Sequence, residues 1–275
     1  MLQVRHGELS TPLKLIIPAM IFPGAVTIML TILFIRLFED IKHYESDRRF
    51  FPEKPLPSGK ITTKNLNTLI ATISVLLFLI NLKLKAAFFP FLVLFLFAFA
   101  MGKWFFIPHF MANNRIYTFL THAPVVLLWN FYLIALAKAP YKVPLLTSEH
   151  FALAVWWAAP LWAWEIARKI RAPADEALPF HTYSRVLGAD MAAAFIIFFF
   201  AVQLFSLFRL GAGLNLAPIT IFLSMGSLAV VSLLIVRFMY RPTTKMANRL
   251  PLIVIAYTTL CTIILFTDFL MTKMR

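Results

Sequence analysis

Residues 86–102 read AAFFPFLVLFLFAFAMG, seventeen positions without a charge, six of them Phe, bounded by Lys83 and Lys85 on one side and Lys103 on the other. A bilayer core of ~30 Å asks for about 20 predominantly apolar residues per helix, so the segment 86–106 reads as a membrane span. Working outward from it, seven more segments qualify: 13–37, 64–82, 116–137, 151–169, 189–209, 216–238 and 250–271. The expected fold is all-α, a polytopic bundle of eight transmembrane helices in one integral membrane domain, 1–275.

The whole composition agrees. Of the 275 residues 61% are hydrophobic and 14% charged, with a mean hydropathy of +0.81; soluble domains carry about 25% charged residues. A soluble enzyme, a disordered tail and a nucleic-acid-binding domain are excluded. The lone cysteine, Cys261, lies in an apolar run and excludes a disulfide framework or a cysteine metal site. No cleavable signal peptide is expected, because the first apolar run is long enough to span.

The net charge of +14 sits mostly between the spans, where basic residues orient helices and meet anionic lipid headgroups. Seventeen Lys and Arg fall on the side that holds the loop after the first span, nine on the other. The positive-inside rule assigns the first side to the cytoplasm, the expected setting being the inner membrane of a cell, with both termini outward. No protein partner is inferable from the sequence.

Acids are scarce, so their positions inform. Glu39, Asp40, Glu45, Asp47 and Glu53 crowd the first cytoplasmic segment, 38–63. Glu165, Asp175 and Glu176 flank a second, 168–188. Four spans separate the clusters, so both face one side of the membrane. If the first helix continues, Asp40, His43 or Tyr44, and Asp47 share one face. Carboxylates a turn or two apart suit Mg²⁺, which takes oxygen ligands together with a substrate's phosphates; a solvated helix with mixed i,i+4 pairs is the other reading. Pro52, Pro55, Pro57 and Gly59 then make a stiff turn-rich loop. Glu165 closes an aromatic run with Trp156, Trp157, Trp162 and Trp164, where an acid is costly without a partner.

Arg36-Leu-x-x-Asp40 with Asp47, then Pro52-x-Lys54-Pro55-Leu56-Pro57-x-Gly59-x-Ile61, resembles the first Asp-rich motif and loop of UbiA-type intramembrane prenyltransferases. The resemblance implies helices around a central cavity, Mg²⁺, and transfer of a prenyl group from an isoprenyl diphosphate to an aromatic or lipid-like hydrophobic acceptor. It implies Asp40 and Asp47 as metal ligands, Glu39 in place of a leading Asn, and Lys54 in place of a loop Arg. Glu165, Asp175 and Glu176 become the second acidic set; Arg168, Lys169 and Arg171 contact diphosphate, with Arg36, Lys103 and Arg115 as further candidates.

The chain departs from that family at three places. His43 replaces a middle Asp and is a poorer Mg²⁺ ligand, though it or His122 remains a candidate base. The second motif, Glu165-Ile-Ala-Arg168-Lys169-Ile-Arg171-Ala-Pro173, lacks the regular Asp spacing and looks like a divergent branch. The family's usual nine spans imply that an N-terminal helix is missing here. A terpene cyclase, a transferase of another diphosphate-activated group, or a non-catalytic lipid-binding or transport descendant are the alternatives. Tyr117, His122 and Tyr183 are candidate cavity or acceptor contacts. Asn130 and Gln203 read as interhelical hydrogen bonds, and Asp268 with Lys273 as a structural pair.

Overall fold

The computed structural model describes residues 11–139, 146–176 and 182–274; of 11–19 and 272–274 only the helical backbone is described. Arg5, Lys142 and Arg275, used in the charge count, lie outside the described residues, as do the side chains of Lys14 and Lys273. Every regular element among the described residues is helical. The helices are α1 (Thr11–Lys42), α2 (Tyr44–Phe50), α3 (Thr63–Lys83), α4 (Phe88–Gly102), α5 (Pro108–Asn113), α6 (Arg115–His122), α7 (Pro124–Lys138), α8 (Ser148–Ala167), α9 (Tyr183–Leu187), α10 (Ala189–Leu214), α11 (Pro218–Tyr240), α12 (Thr244–Ala247) and α13 (Leu250–Met274).

Among the described residues seven segments are long and apolar enough to cross a bilayer: 20–42, 63–83, 85–102, 115–138, 189–214, 218–240 and 244–271. The chain is an integral multi-pass membrane protein. The eighth expected segment does fold, as the twenty-residue α8, yet falls short of that apolarity. Four Trp, Pro160, Glu149 and Glu165 lower its hydropathy, and it compensates with burial: Ala152, Trp156, Ala159, Ala163 and Ile166 are all in the core.

The span expected at 116–137 is interrupted. Pro124 follows Ala123 at the junction of α6 and α7; a proline ring displaces the carbonyl four residues back and removes a donor. Elsewhere the ends follow local chemistry. Thr62 and Asn65 form a reciprocal capping box at the start of α3, the Asn65 side chain accepting the Thr62 N–H at 2.9 Å. Gly59, at φ +77, supplies the left-handed turn just before it.

The chain divides into two compact units. The first comprises 1–113 and 128–145, the second 114–127 and 146–275. In the first, α1 packs on α3 and α4. Gly102 permits a close approach, since a Cβ there would meet the Phe38 ring at 2.6 Å. Thr27 on α1, Asn81 on α3 and Tyr132 on α7 form a buried chain of hydrogen bonds: the Tyr132 hydroxyl donates to Asn81 Oδ1 at 2.7 Å, and Asn81 Nδ2 donates to Thr27 Oγ1 at 3.0 Å.

In the second unit, α8 and α10 form the most intimate pair. Small residues at the contact (Ala152, Ala159, Ala163, Ala192 and Ala193) let the backbones close, which is how membrane helices gain packing without a hydrophobic driving force. One expectation is corrected here. Gln203 is 1% exposed, but neither atom of its amide makes a hydrogen bond; the neighbours on its helix face include Phe199, Phe200 and Leu207, and the Ser206 hydroxyl is already given to the Val202 carbonyl. Asp268 Oδ2 accepts the Ala217 N–H at 3.0 Å and caps the entry to α11, while the side chain of Lys273, its expected partner, lies outside the described residues.

Candidate functional site

The first acidic segment lies in the first unit, on α1, α2 and the loop that follows. The helix continues through it with one break at His43 (φ −94, ψ 7), bridged by Asp47 N–H donating to the His43 carbonyl at 2.7 Å. Asp40 is paired with Arg36 at 2.9 Å, one turn back. Asp47 is buried, and its Oδ1 holds the Lys54 ammonium at 2.7 Å, fixing the proline-rich loop against α2. Lys54 also lies 4.6 Å above the Phe51 ring.

Glu39 has a different setting. It binds Lys42 at 2.7 Å and His43 at 3.3 Å. The Lys42 side chain is only 4% exposed and lies 4.3 Å over the Trp104 ring, against which His43 also packs edge-on. Trp104, Phe105 and Phe106 carry φ of +53, +49 and +63. Three consecutive non-glycine residues in the left-handed region cost roughly 1–2 kcal/mol each. Such strain persists only where the surroundings impose it; here Lys42 and His43 hold Trp104, and Phe97 packs on Phe105. Lys103 lies 5.3 Å over Phe38.

Asp40 and Asp47 offer the hard oxygens that Mg²⁺ takes. Among the described residues no group of three or more His, Cys, Asp or Glu side chains gathers for one ion. Each of the two aspartates already holds a cation, Arg36 or Lys54, so an ion there would have to displace these bases and draw the rest of its shell from other oxygens.

The second acidic segment lies in the second unit. Glu165, on the last turn of α8, accepts from Arg168 Nε at 2.6 Å and from the Lys169 ammonium. Burial holds the Lys169 pKa down to about 8, against the pull of Glu165 and with the help of Arg115 and Arg168. Arg115 lies 5.5 Å over the Tyr183 ring, and its Nε is buried without a hydrogen bond. Burial, and then the charge of Glu165, push the Tyr183 phenol well above its ordinary range.

Glu176 closes the loop. It accepts from the hydroxyls of Thr182 (2.8 and 2.7 Å) and Ser184, while Ser184 Oγ accepts the Arg171 N–H at 2.7 Å. The Arg171 guanidinium turns back onto the Ile170 carbonyl at 2.9 Å. Asp175 is exposed in the short turn Pro173–Asp175.

Beside this charged group is an apolar cavity of about 510 Å³. Phe119, Trp162, Tyr183, Phe195, Phe198 and Phe199 supply its aromatic wall, and Ile116, Leu120, Leu127 and Ile166 much of the rest. Tyr183 thus belongs to both, as cavity wall and as the ring beneath Arg115. Tyr117 and His122 are not among the lining residues; His122 Nδ1 pairs with the Thr121 hydroxyl at 3.2 Å. Sequence reasoning marked Tyr183 and Arg115 separately but missed that they stack, since nothing in a linear string relates residues sixty-eight apart.

Among solved structures, the chain is similar to the apo structure of a UbiA homolog from Aeropyrum pernix K1, with a TM-score of 0.61 over 91% of this chain and 90% of that one, at 14% identity. The chain has the UbiA-type fold. The low identity fits a divergent version of it, as His43 and the irregular second motif already suggest. No family model and no curated protein match the sequence. What the UbiA-type fold contributes here is a helical membrane scaffold; the chemistry has to be argued from the side chains this chain places on it.

Proposed function

We propose that this protein transfers a prenyl group from an isoprenyl diphosphate to a hydrophobic acceptor within the membrane, with Mg²⁺ as cofactor and the site on the cytoplasmic face of an inner membrane. The observation that carries the reading is the apolar, aromatic-rich cavity of about 510 Å³ whose wall residue Tyr183 lies under Arg115, in one charged cluster with Lys169 and Arg168. An apolar hollow beside clustered cations suits an amphiphile with a long hydrocarbon tail and a phosphorylated head.

Arg115, Arg168 and Lys169 would grip the diphosphate, Arg in bidentate fashion. Glu165 orients Arg168 and Lys169 through its ion pairs. In the first unit, Asp40 and Asp47 are the proposed Mg²⁺ ligands, which would have to give up Arg36 and Lys54 to take the ion. When bound, Mg²⁺ would stabilise the charge that develops on the leaving diphosphate. The apolar wall excludes water, which would otherwise capture the prenyl cation.

The test is turnover by the full chain in detergent or nanodiscs, with Mg²⁺, allylic diphosphates and a panel of phenolic or lipid-like acceptors. Diphosphate release that requires an acceptor is expected, and it should fall at least a hundredfold in D40A/D47A and in R115Q. Release without an acceptor would identify a cyclase instead. No release under any pairing, from protein that remains folded, would refute the transferase reading.

A further inference from the structure

The connection from α11 to α13 carries a charge pattern unlike that of the two motif segments. From Met191 to Thr267 the sequence has no Asp or Glu, yet Arg237, Arg241, Lys245 and Arg249 follow one another at intervals of four. All four are exposed, and none has an ion pair among the described residues. The Arg241 N–H donates to the Arg237 carbonyl at 3.1 Å, and around Lys245 the Asn248 N–H donates to the Thr244 carbonyl at 3.0 Å. The first two bases and the last two are therefore each about a turn apart, a spacing at which like charges repel. The corner that carries them is fixed to the core. Ala247 and Leu250 are buried in one cluster with Phe238, and the Thr243 hydroxyl caps α12 by accepting the Met246 N–H at 3.4 Å. Orienting the spans asks for positive charge at this end, but neither for this spacing nor for this anchoring.

Depth adds a second observation. Arg237 lies inside the span 218–240, one turn from its end. An exposed charge there needs a counter-charge from protein or from lipid, and this connection offers no carboxylate. Further into the membrane, Val230 and Leu233 on α11 and Leu252 and Ile255 on α13 are each at least 50% exposed. Tyr240, 84% exposed, brings the amphipathic ring that favours headgroup level. We infer that this corner binds an anionic phospholipid, its phosphate on the four bases and its acyl chains along the exposed apolar residues of α11 and α13. Arginine takes phosphate oxygens in bidentate fashion and lysine as a point charge. A zwitterionic headgroup brings its own cation to the bases, so lipids of net negative charge are selected. These residues are separate from those proposed for prenyl transfer, and the two readings fail independently.

The test is native mass spectrometry of the detergent-solubilised full chain in about 0.1 M ammonium acetate, titrated with phosphatidylglycerol or phosphatidylcholine of the same acyl chains. A base near an anionic lipid surface is worth about fivefold in affinity. Phosphatidylglycerol should bind at least tenfold tighter than phosphatidylcholine, and R241Q/K245Q and R237Q/R249Q should each remove at least tenfold of that preference. K83Q/K85Q, which removes the same charge from two exposed lysines of the first unit, should leave it intact. R237K/R241K should keep most of it, so the site remains testable if a glutamine variant fails to fold. Glycerol phosphate at millimolar concentration should not displace the lipid. No headgroup preference in the native chain, or an equal loss in K83Q/K85Q, would overturn the site. Full displacement by glycerol phosphate would overturn the lipid as its occupant.

Discussion

Replacing Tyr132 with Phe should destabilise the first unit through one atom. Thr27, Asn81 and Tyr132 are all fully buried, on three different helices. Asn81 serves both partners, accepting from the Tyr132 hydroxyl at 2.7 Å and donating to Thr27 at 3.0 Å and to the Leu77 carbonyl at 2.9 Å. Y132F removes one bond and leaves Asn81 Oδ1 without that donor in an apolar interior. Interhelical hydrogen bonds in membranes average ~0.6 kcal/mol and reach ~1.7, while an unsatisfied buried acceptor costs ~1–3 kcal/mol. A loss of about 1–2 kcal/mol is expected. N81A should cost about 2–4 kcal/mol, because it breaks both interhelical links, takes the tyrosine hydroxyl's acceptor and opens a void. The double variant N81L/Y132F should recover part of that, since removing both partners of a buried pair costs less than removing one. Unfolding in mixed micelles of rising denaturing-detergent fraction, followed by circular dichroism, measures all three. If Y132F stays within ~0.3 kcal/mol of the native chain and the double variant loses as much as the singles summed, the network contributes nothing and the reasoning fails.

Two further outcomes are expected. Lys169 titrates near pH 8, so its charge is present below that and lost above it; phosphorylated-headgroup affinity should fall as pH rises through about 8, whereas K169R, which keeps its charge, should flatten the fall. By the same linkage the folded chain binds fewer protons than the unfolded one between about pH 8 and the ordinary lysine value, so this group's contribution to stability rises with pH there. Phe106 is 69% exposed at φ +63, so F106G should relieve left-handed strain at little packing cost and raise stability by about 1 kcal/mol; a drop in melting temperature would refute the strain assignment.

Apolarity made the spans legible, because twenty lipid-compatible residues in a row have few other uses. Partnerships one turn apart followed from helical spacing: Arg36 with Asp40, Glu39 with His43, Glu165 with Lys169. The break before the third span was placed correctly, since α3 ends at Lys83, and Asn81, inside that span, is a buried interior anchor. Pro124 was readable as a breaker and was passed over because the apolar run continued through it. Lys54 on Asp47, Lys42 under Trp104 and Glu176 on Thr182 and Ser184 depend on where loops return, which no local pattern encodes. Gln203 misled in the opposite sense, since polarity in a span promises a partner that the fold does not supply.

The acids of the two motif segments already have company inside their own units: Asp40 has Arg36, Asp47 has Lys54, Glu165 has Arg168 and Lys169, and Glu176 has two hydroxyls. A charged guest that binds through one of these four acids must consequently displace its resident. An anion arriving alone draws a base away and strands an acid; a cation arriving alone strands a base. Only the two together leave every charge matched, so each should sharpen the other's binding reciprocally. Between guests each of these acids keeps a partner from its own unit.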